Sequence, residues 1–387
     1  MTRPPVPEIH GTCHPRYARV RDAFAEGFRA RDEIGASVAV VADGETVVEL
    51  WAGHADPARS RPWERDTIVH MYSATKGMTA LCALRLVERG ALDLDAPVSR
   101  YWPEFGQAGK GHVTVRWLIS HRAGLPALRR RLPPDALYDW DAMCAALAEA
   151  EPCVTPGQVS YHPVTFGWLV GELVRRVDGR SLGRFFREEI GEPLGADLHI
   201  GLGPAEEKRA ADITMVTPPP EIAAAFAGGL EGELPLVALA FMNPSGTGDH
   251  NCAAHRRAEI PAINAHGTAL ALARVYGALA RGGELDGVRV LAPAVVEAAR
   301  TEQVRGLDPL MAAPIRMGLG YWITQPGEPG YAYGPGERSF GHPGAGGSLG
   351  FADPDARLGF GYVTNRMGRS IEVDERPQAL IDALYAC

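Results

Sequence analysis

Lysine is scarce in this chain: Lys76, Lys110 and Lys208 are the only three in 387 residues. Acidic residues outnumber basic ones, and the formal net charge of −8 excludes the basic surface that nucleic acid or an anionic membrane requires. No apolar run approaches the length needed to span a bilayer. The opening residues Met1 to His10 contain no apolar targeting core, so a cytoplasmic location is expected. The six cysteines (Cys13, Cys82, Cys144, Cys153, Cys252 and Cys387) form no C-x-x-C pair and are expected as free thiols. His250, Cys252 and His255 carry ligand-bearing side chains but have no fourth partner at a recognised spacing, so neither a metal nor a cofactor is expected.

What is present is an ordinary globular composition, 46% hydrophobic and 22% charged, in a chain long enough for two subdomains with a cleft between them. Residues 36–42 and 46–51 alternate and are rich in β-branched side chains around Asp43-Gly44, which predicts a hairpin. The pattern returns at Ser348–Ala352 and Leu358–Thr364 across the turn Asp353-Pro354-Asp355, so both ends of the chain are expected in one antiparallel sheet. The expected organisation is a sheet domain from 1–91 and 264–387, flanked by helices. A mainly helical lobe, 92–263, is inserted to form the other wall of the cleft. A proline-bearing apolar stretch from Pro218 to Pro244 falls in that lobe, and a periodic helix from Gly267 to Leu279 leads back to the sheet.

The strongest chemical signal is Ser73-Ala74-Thr75-Lys76. With 11 serines and three lysines, chance supplies roughly 0.09 such S-x-x-K pairs. Residues 71–90 have helical apolar spacing with Gly90 at the expected C-terminal cap, so Ser73 opens a helix and Lys76 lies on its face one turn later. A serine there has the helix dipole beside it, which favours an oxyanion. A lysine on a buried helix is costly to keep charged and releases its proton more readily than in water, as a base for serine must.

Two other segments fit such a site. Tyr161 sits in the loop Pro156–Pro163, ahead of a helix expected near Val164, and Gly341-His342-Pro343-Gly344-Ala345-Gly346-Gly347 offers backbone to a substrate before a strand. With these segments in order, the chain resembles the serine β-lactamase and penicillin-binding-protein superfamily, most closely the class C-like family VIII carboxylesterases. Leu118–Leu125 resembles the family's loop after the nucleophile helix. The resemblance implies an α/β (α+β) fold of the β-lactamase/transpeptidase type. It makes Ser73 the acylated nucleophile, Lys76 and Tyr161 its acid/base partners, and the N–H groups of Ser73 and Ala345 an oxyanion hole. His342, Pro343 and Gly344 stand at the substrate-binding K-T-G place.

The departures from the family pattern point away from β-lactams. Histidine and proline replace the K-T-G lysine and threonine that bind a lactam carboxylate, and Pro163 replaces the asparagine of Y-x-N. The expected activity is serine carboxylesterase action on short-chain, small-molecule esters. Alternatives are a β-lactamase, a D-amino-acid peptidase or amidase, an acyltransferase, or a non-catalytic relic of the fold. The sequence leaves open which of Lys76 and Tyr161 is the base, and the oligomeric state. Gly346-Gly347-Ser348-Leu349-Gly350 also spells G-x-S-x-G, but Ser348 opens a strand and no histidine follows His342, so it is not expected to act as a nucleophile.

Overall fold

The computed structural model describes residues 6–215, 235–244 and 249–387; most of the Pro218–Pro244 stretch lies outside the described residues. The chain opens with β1 (Ile9–Cys13), α1 (Ala18–Ala30), β2 (Gly35–Ala42) and β3 (Glu45–Gly53). A short strand, β4 (Val69–His70), leads into α2 (Thr75–Glu88), and α3 (Phe166–Asp178) packs against α2. Two further short strands, β5 (Leu198–Ile200) and β6 (Ala265–Gly267), join β4 in a three-stranded sheet of order β4-β6-β5. Next come α4 (Ala269–Ala280) and the small hairpin of β7 (Glu284–Leu285) and β8 (Val288–Arg289). The chain ends with β9 (Val304–Asp308), β10 (Ala313–Met317), β11 (Trp322–Ile323), β12 (Phe340–Pro343), β13 (Leu349–Asp353), β14 (Leu358–Thr364) and α5 (Glu375–Tyr385).

The two ends of the chain do build one antiparallel sheet, of nine strands in the order β1-β3-β2-β14-β13-β12-β11-β10-β9. Strand β2 shows why it needs helices on both faces. Ala39 and Val41 enter the apolar core shared with α2 and α4, whereas Ala36, Val38 and Val40 enter a second core with Phe24 and Phe28 of α1 and Leu380 of α5. Alternate side chains of one strand therefore feed two cores, and the strand reads as a continuous apolar run. Helix α4 lies unusually close to β14: a Cβ on Gly359 would stand 2.1 Å from the Gly277 amide nitrogen. Glycine is what lets the helix backbone rest on the strand.

Helix α2 is apolar on every side, and each residue from Thr75 to Leu84 is buried. Gly90, at φ +68°, closes the helix where the sequence placed its cap. No helix among the described residues is long and apolar enough to cross a membrane.

Candidate active site

Ser73 lies in a single 3-10 turn, Tyr72–Ala74, that runs into α2. Tyr72 carries φ +44°, a conformation in which a bulky side chain is strained by about 1–3 kcal/mol. The turn is pinned on both sides: the Thr75 hydroxyl donates to the Tyr72 carbonyl at 2.6 Å and accepts from the Ala265 N–H at 2.9 Å. Within 71–84 every residue is buried except Ser73, and within 341–353 every residue is buried except Ala345. Two otherwise closed segments thus each present one residue outward.

Lys76 is fully buried, and its Nζ stands 2.9 Å from Ser73 Oγ, 2.7 Å from the Pro163 carbonyl and 3.0 Å from the Ala262 carbonyl. No carboxylate pairs with it among the described residues. Burial accordingly pushes its pKa well below the usual lysine value. Nζ donates to both carbonyls, which fix the amine beside the Ser73 hydroxyl. The family pattern had Pro163 as a loss, because its side chain donates nothing; its backbone carbonyl is in fact one of the two groups orienting Lys76. Lys110 gives a useful contrast. It is also fully buried, with its Nζ donating to the carbonyls of Gln107, Ala148 and Ala150, but it bonds no hydroxyl among the described residues.

Tyr161 lies over Lys76, whose Nζ is 5.0 Å from the ring centroid. Burial raises the phenol pKa, with the nearby Ser73 hydroxyl opposing part of that rise, so the phenol is held protonated. Its ring stacks on His121 with centroids 4.9 Å apart, and its backbone N–H donates to the Asp308 carboxylate. His162 is fixed in one neutral tautomer: Nδ1 donates to the Ser160 carbonyl at 2.5 Å and Nε2 accepts from the Leu125 N–H at 3.1 Å. Burial lowers its pKa to about 3.

Just past β12, Gly344 makes a close approach possible. A Cβ there would lie 2.2 Å from the Met71 carbonyl oxygen, so only glycine brings the end of β12 and Ala345 against the Tyr72–Ala74 turn. Neither the Ser73 N–H nor the Ala345 N–H has an acceptor among the described residues, so both donors are available to a bound group. The loop after Ala345 is tied down by buried Arg376, which donates to the Gly346 carbonyl at 2.5 Å and pairs with Asp374 at 2.5 Å. His342 is wholly buried with its ring 6.0 Å from that of Tyr161, and its Nδ1 faces the Pro343 carbonyl at 2.7 Å. Burial pushes its pKa well down, leaving it neutral where the K-T-G pattern has a cation. Ser348 is 3% exposed and leads into β13 rather than a helix, outside the strand-turn-helix geometry of a nucleophile elbow.

The fold therefore brings Ser73, Lys76, Tyr161, His342, Gly344 and Ala345 together. Sequence reading passed over His121, Asp308 and the two carbonyls that hold Lys76. His121 falls within Leu118–Leu125, at φ +60° just beyond a short helix, and the run Ser120-His121-Arg122 carries no sign of that conformation. The loop containing His250, Cys252 and His255 also changes character, because His70 of β4 joins the two histidines and Cys252 turns away to cap its own helix.

Comparison with known proteins places this geometry. A family model described as Beta-lactamase matches residues 20–384. The esterase/beta-lactamase LipL of Mycobacterium tuberculosis is 40% identical over an alignment covering 93% of this chain and 83% of that protein. A penicillin-binding protein homologue from Caulobacter crescentus superposes with a TM-score of 0.90 at 43% identity, covering 98% of this chain and 99% of that one. A family VIII carboxylesterase structure gives a TM-score of 0.90 at 40% identity, covering 98% of this chain and all of that one.

Proposed function

The chain belongs to the beta-lactamase family, and from that membership we propose that it is a serine hydrolase cleaving short-chain neutral carboxylic esters through an acyl-Ser73 intermediate. The observation that carries this reading is the environment of Lys76: a buried amine with two carbonyls on its N–H bonds and the Ser73 hydroxyl at 2.9 Å. The names of LipL and of the family VIII carboxylesterase support ester chemistry on this fold.

In the proposed cycle, neutral Lys76 takes the Ser73 proton as Oγ attacks the ester carbonyl. The N–H groups of Ser73 and Ala345 hold the oxyanion. As the intermediate collapses, the Tyr161 phenol gives its proton to the departing alkoxide and recovers one from the Lys76 ammonium. Water then enters, loses a proton to the same pair, attacks the acyl carbonyl and releases the acid with Ser73 restored. The neutral, buried His342 and the adjoining Pro343 supply no cationic clamp for a substrate carboxylate, which favours neutral esters over β-lactams.

The test compares kcat/KM for p-nitrophenyl esters of two to twelve acyl carbons with that for a chromogenic cephalosporin. Esters of two to four carbons should be far the better substrates. A preference for the cephalosporin would transfer the assignment to lactam hydrolysis.

A further inference from the structure

We propose that His70, His250 and His255 form a binding site for one divalent transition-metal ion of the zinc class, independent of the ester-hydrolysing machinery and immediately behind the nucleophile turn. His70 ends β4, three residues before Ser73, and His255 lies in the short helix Ala253–Arg257. Both are buried, while His250 in the preceding loop is partly exposed and gives an ion a path from solvent. Each ring offers one nitrogen, and the three nitrogens lie within 4.8 Å of one another. His70 Nε2 and His255 Nε2 are 3.1 Å apart. Two nitrogens bound tetrahedrally to zinc at about 2.0–2.1 Å are separated by roughly 3.3 Å, so this pair already has nearly the required spacing.

The donor set decides the ion. Three imidazoles, with neither carboxylate nor thiolate among them, suit zinc, nickel or copper and offer nothing to magnesium or calcium. Cys252 is not among the side chains whose ligand atoms converge here; its sulfur caps its own helix, accepting from the His255 N–H at 3.4 Å. The fourth position therefore falls to water or a small exogenous ligand. The outer shell is incomplete among the described residues: His250 is braced by the Tyr72 hydroxyl at 2.8 Å, but the Nδ1 atoms of His70 and His255 have no partner there. Missing outer hydrogen bonds weaken metal sites by about 10- to 100-fold, so binding should be reversible rather than permanent. Its effect would be to tie the His250–Arg257 segment to β4.

The experiment titrates untagged, metal-stripped protein with zinc by calorimetry and follows cobalt binding by visible absorption, with magnesium as control. Expected are one zinc per chain, visible cobalt bands of a tetrahedral site, a rise in thermal midpoint with zinc, and no magnesium binding. His250→Ala should keep the fold and lose at least 10-fold in zinc affinity, and His255→Gln, checked for folding by circular dichroism, should lose as much. His199→Ala should bind like wild type. Absence of saturable zinc binding, or affinity unchanged in His250→Ala, would overturn the site and leave a hydrogen-bonded histidine cluster only.

Discussion

Lys76 Nζ stands 2.9 Å from Ser73 Oγ with no competing carboxylate among the described residues, and the Tyr161 ring lies over the same amine, its centroid 5.0 Å from Nζ. The proposed cycle passes protons through both groups. Groups that serve one proton transfer are strongly non-additive, so Lys76→Ala, Tyr161→Phe and the double variant should each lose kcat to a similar extent, on the order of 10³-fold or more. Single-turnover acylation rates for the three proteins check this. Losses that multiply in the double variant would mean that the two residues act separately.

The pH profile follows from the opposite shifts of the pair. The Lys76 pKa is lowered by burial, so the neutral base persists to lower pH than for a free lysine, and activity falls as pH drops through that depressed value. The Tyr161 pKa is raised, so its proton remains available until well into the alkaline range. An alkyl ester followed by pH-stat should therefore give kcat/KM that rises from acid to a broad plateau. Activity that declines steadily from acid to neutral pH would contradict a neutral-lysine base.

Gly344 lets the end of β12 lie against the turn that carries Ser73, and its replacement by alanine puts a methyl group into the Met71 carbonyl, displacing the N–H groups proposed to hold the oxyanion. The strand must then withdraw, taking the Ala345 N–H with it. Loss of one oxyanion donor costs about 10²- to 10³-fold in kcat, so Gly344→Ala should fall by that amount with a smaller change in KM. Steady-state kinetics on the folded variant decide it. Retention of wild-type kcat would mean that Ala345 does not hold the oxyanion.

The specificity argument turns on the neutral His342-Pro343 pair. His342→Lys together with Pro343→Thr restores a cation and a hydroxyl where a lactam carboxylate would sit. A charge-assisted contact contributes roughly 1.5–3 kcal/mol, so the cephalosporin-to-ester ratio of kcat/KM should rise by about 10- to 100-fold. A ratio that stays constant would remove this pair as the determinant.

How much of this could be read from the chain depended on sequence distance. Ser73 and Lys76 lie one helical turn apart, so their pairing is written locally. The strands at the two chain ends are likewise visible as β-branched apolar runs, although β2, buried on both faces, does not alternate. The groups that tune Lys76 are not local: Pro163 lies 87 residues away and Ala262 lies 186 away, and both act through carbonyls that every residue possesses. Periodicity carries no information about such contacts. His70 was invisible as a partner of His255 for the same reason, being 185 residues distant. Tyr161 was picked out as fitting the Ser73 site but gained its role only through the resemblance, since a lone tyrosine ahead of a helix has no signature of its own.

The account rests on Ser73 being the atom that carries the acyl group. The direct measurement is to react the protein with a fluorophosphonate, weigh the intact adduct, and map it by peptide mass spectrometry in wild type, Ser73→Ala and Ser348→Ala. The account predicts one phosphonyl group per chain on the peptide containing Ser73, lost in Ser73→Ala together with ester hydrolysis and retained in Ser348→Ala. An adduct on Ser348, or ester hydrolysis that survives in Ser73→Ala, would contradict it.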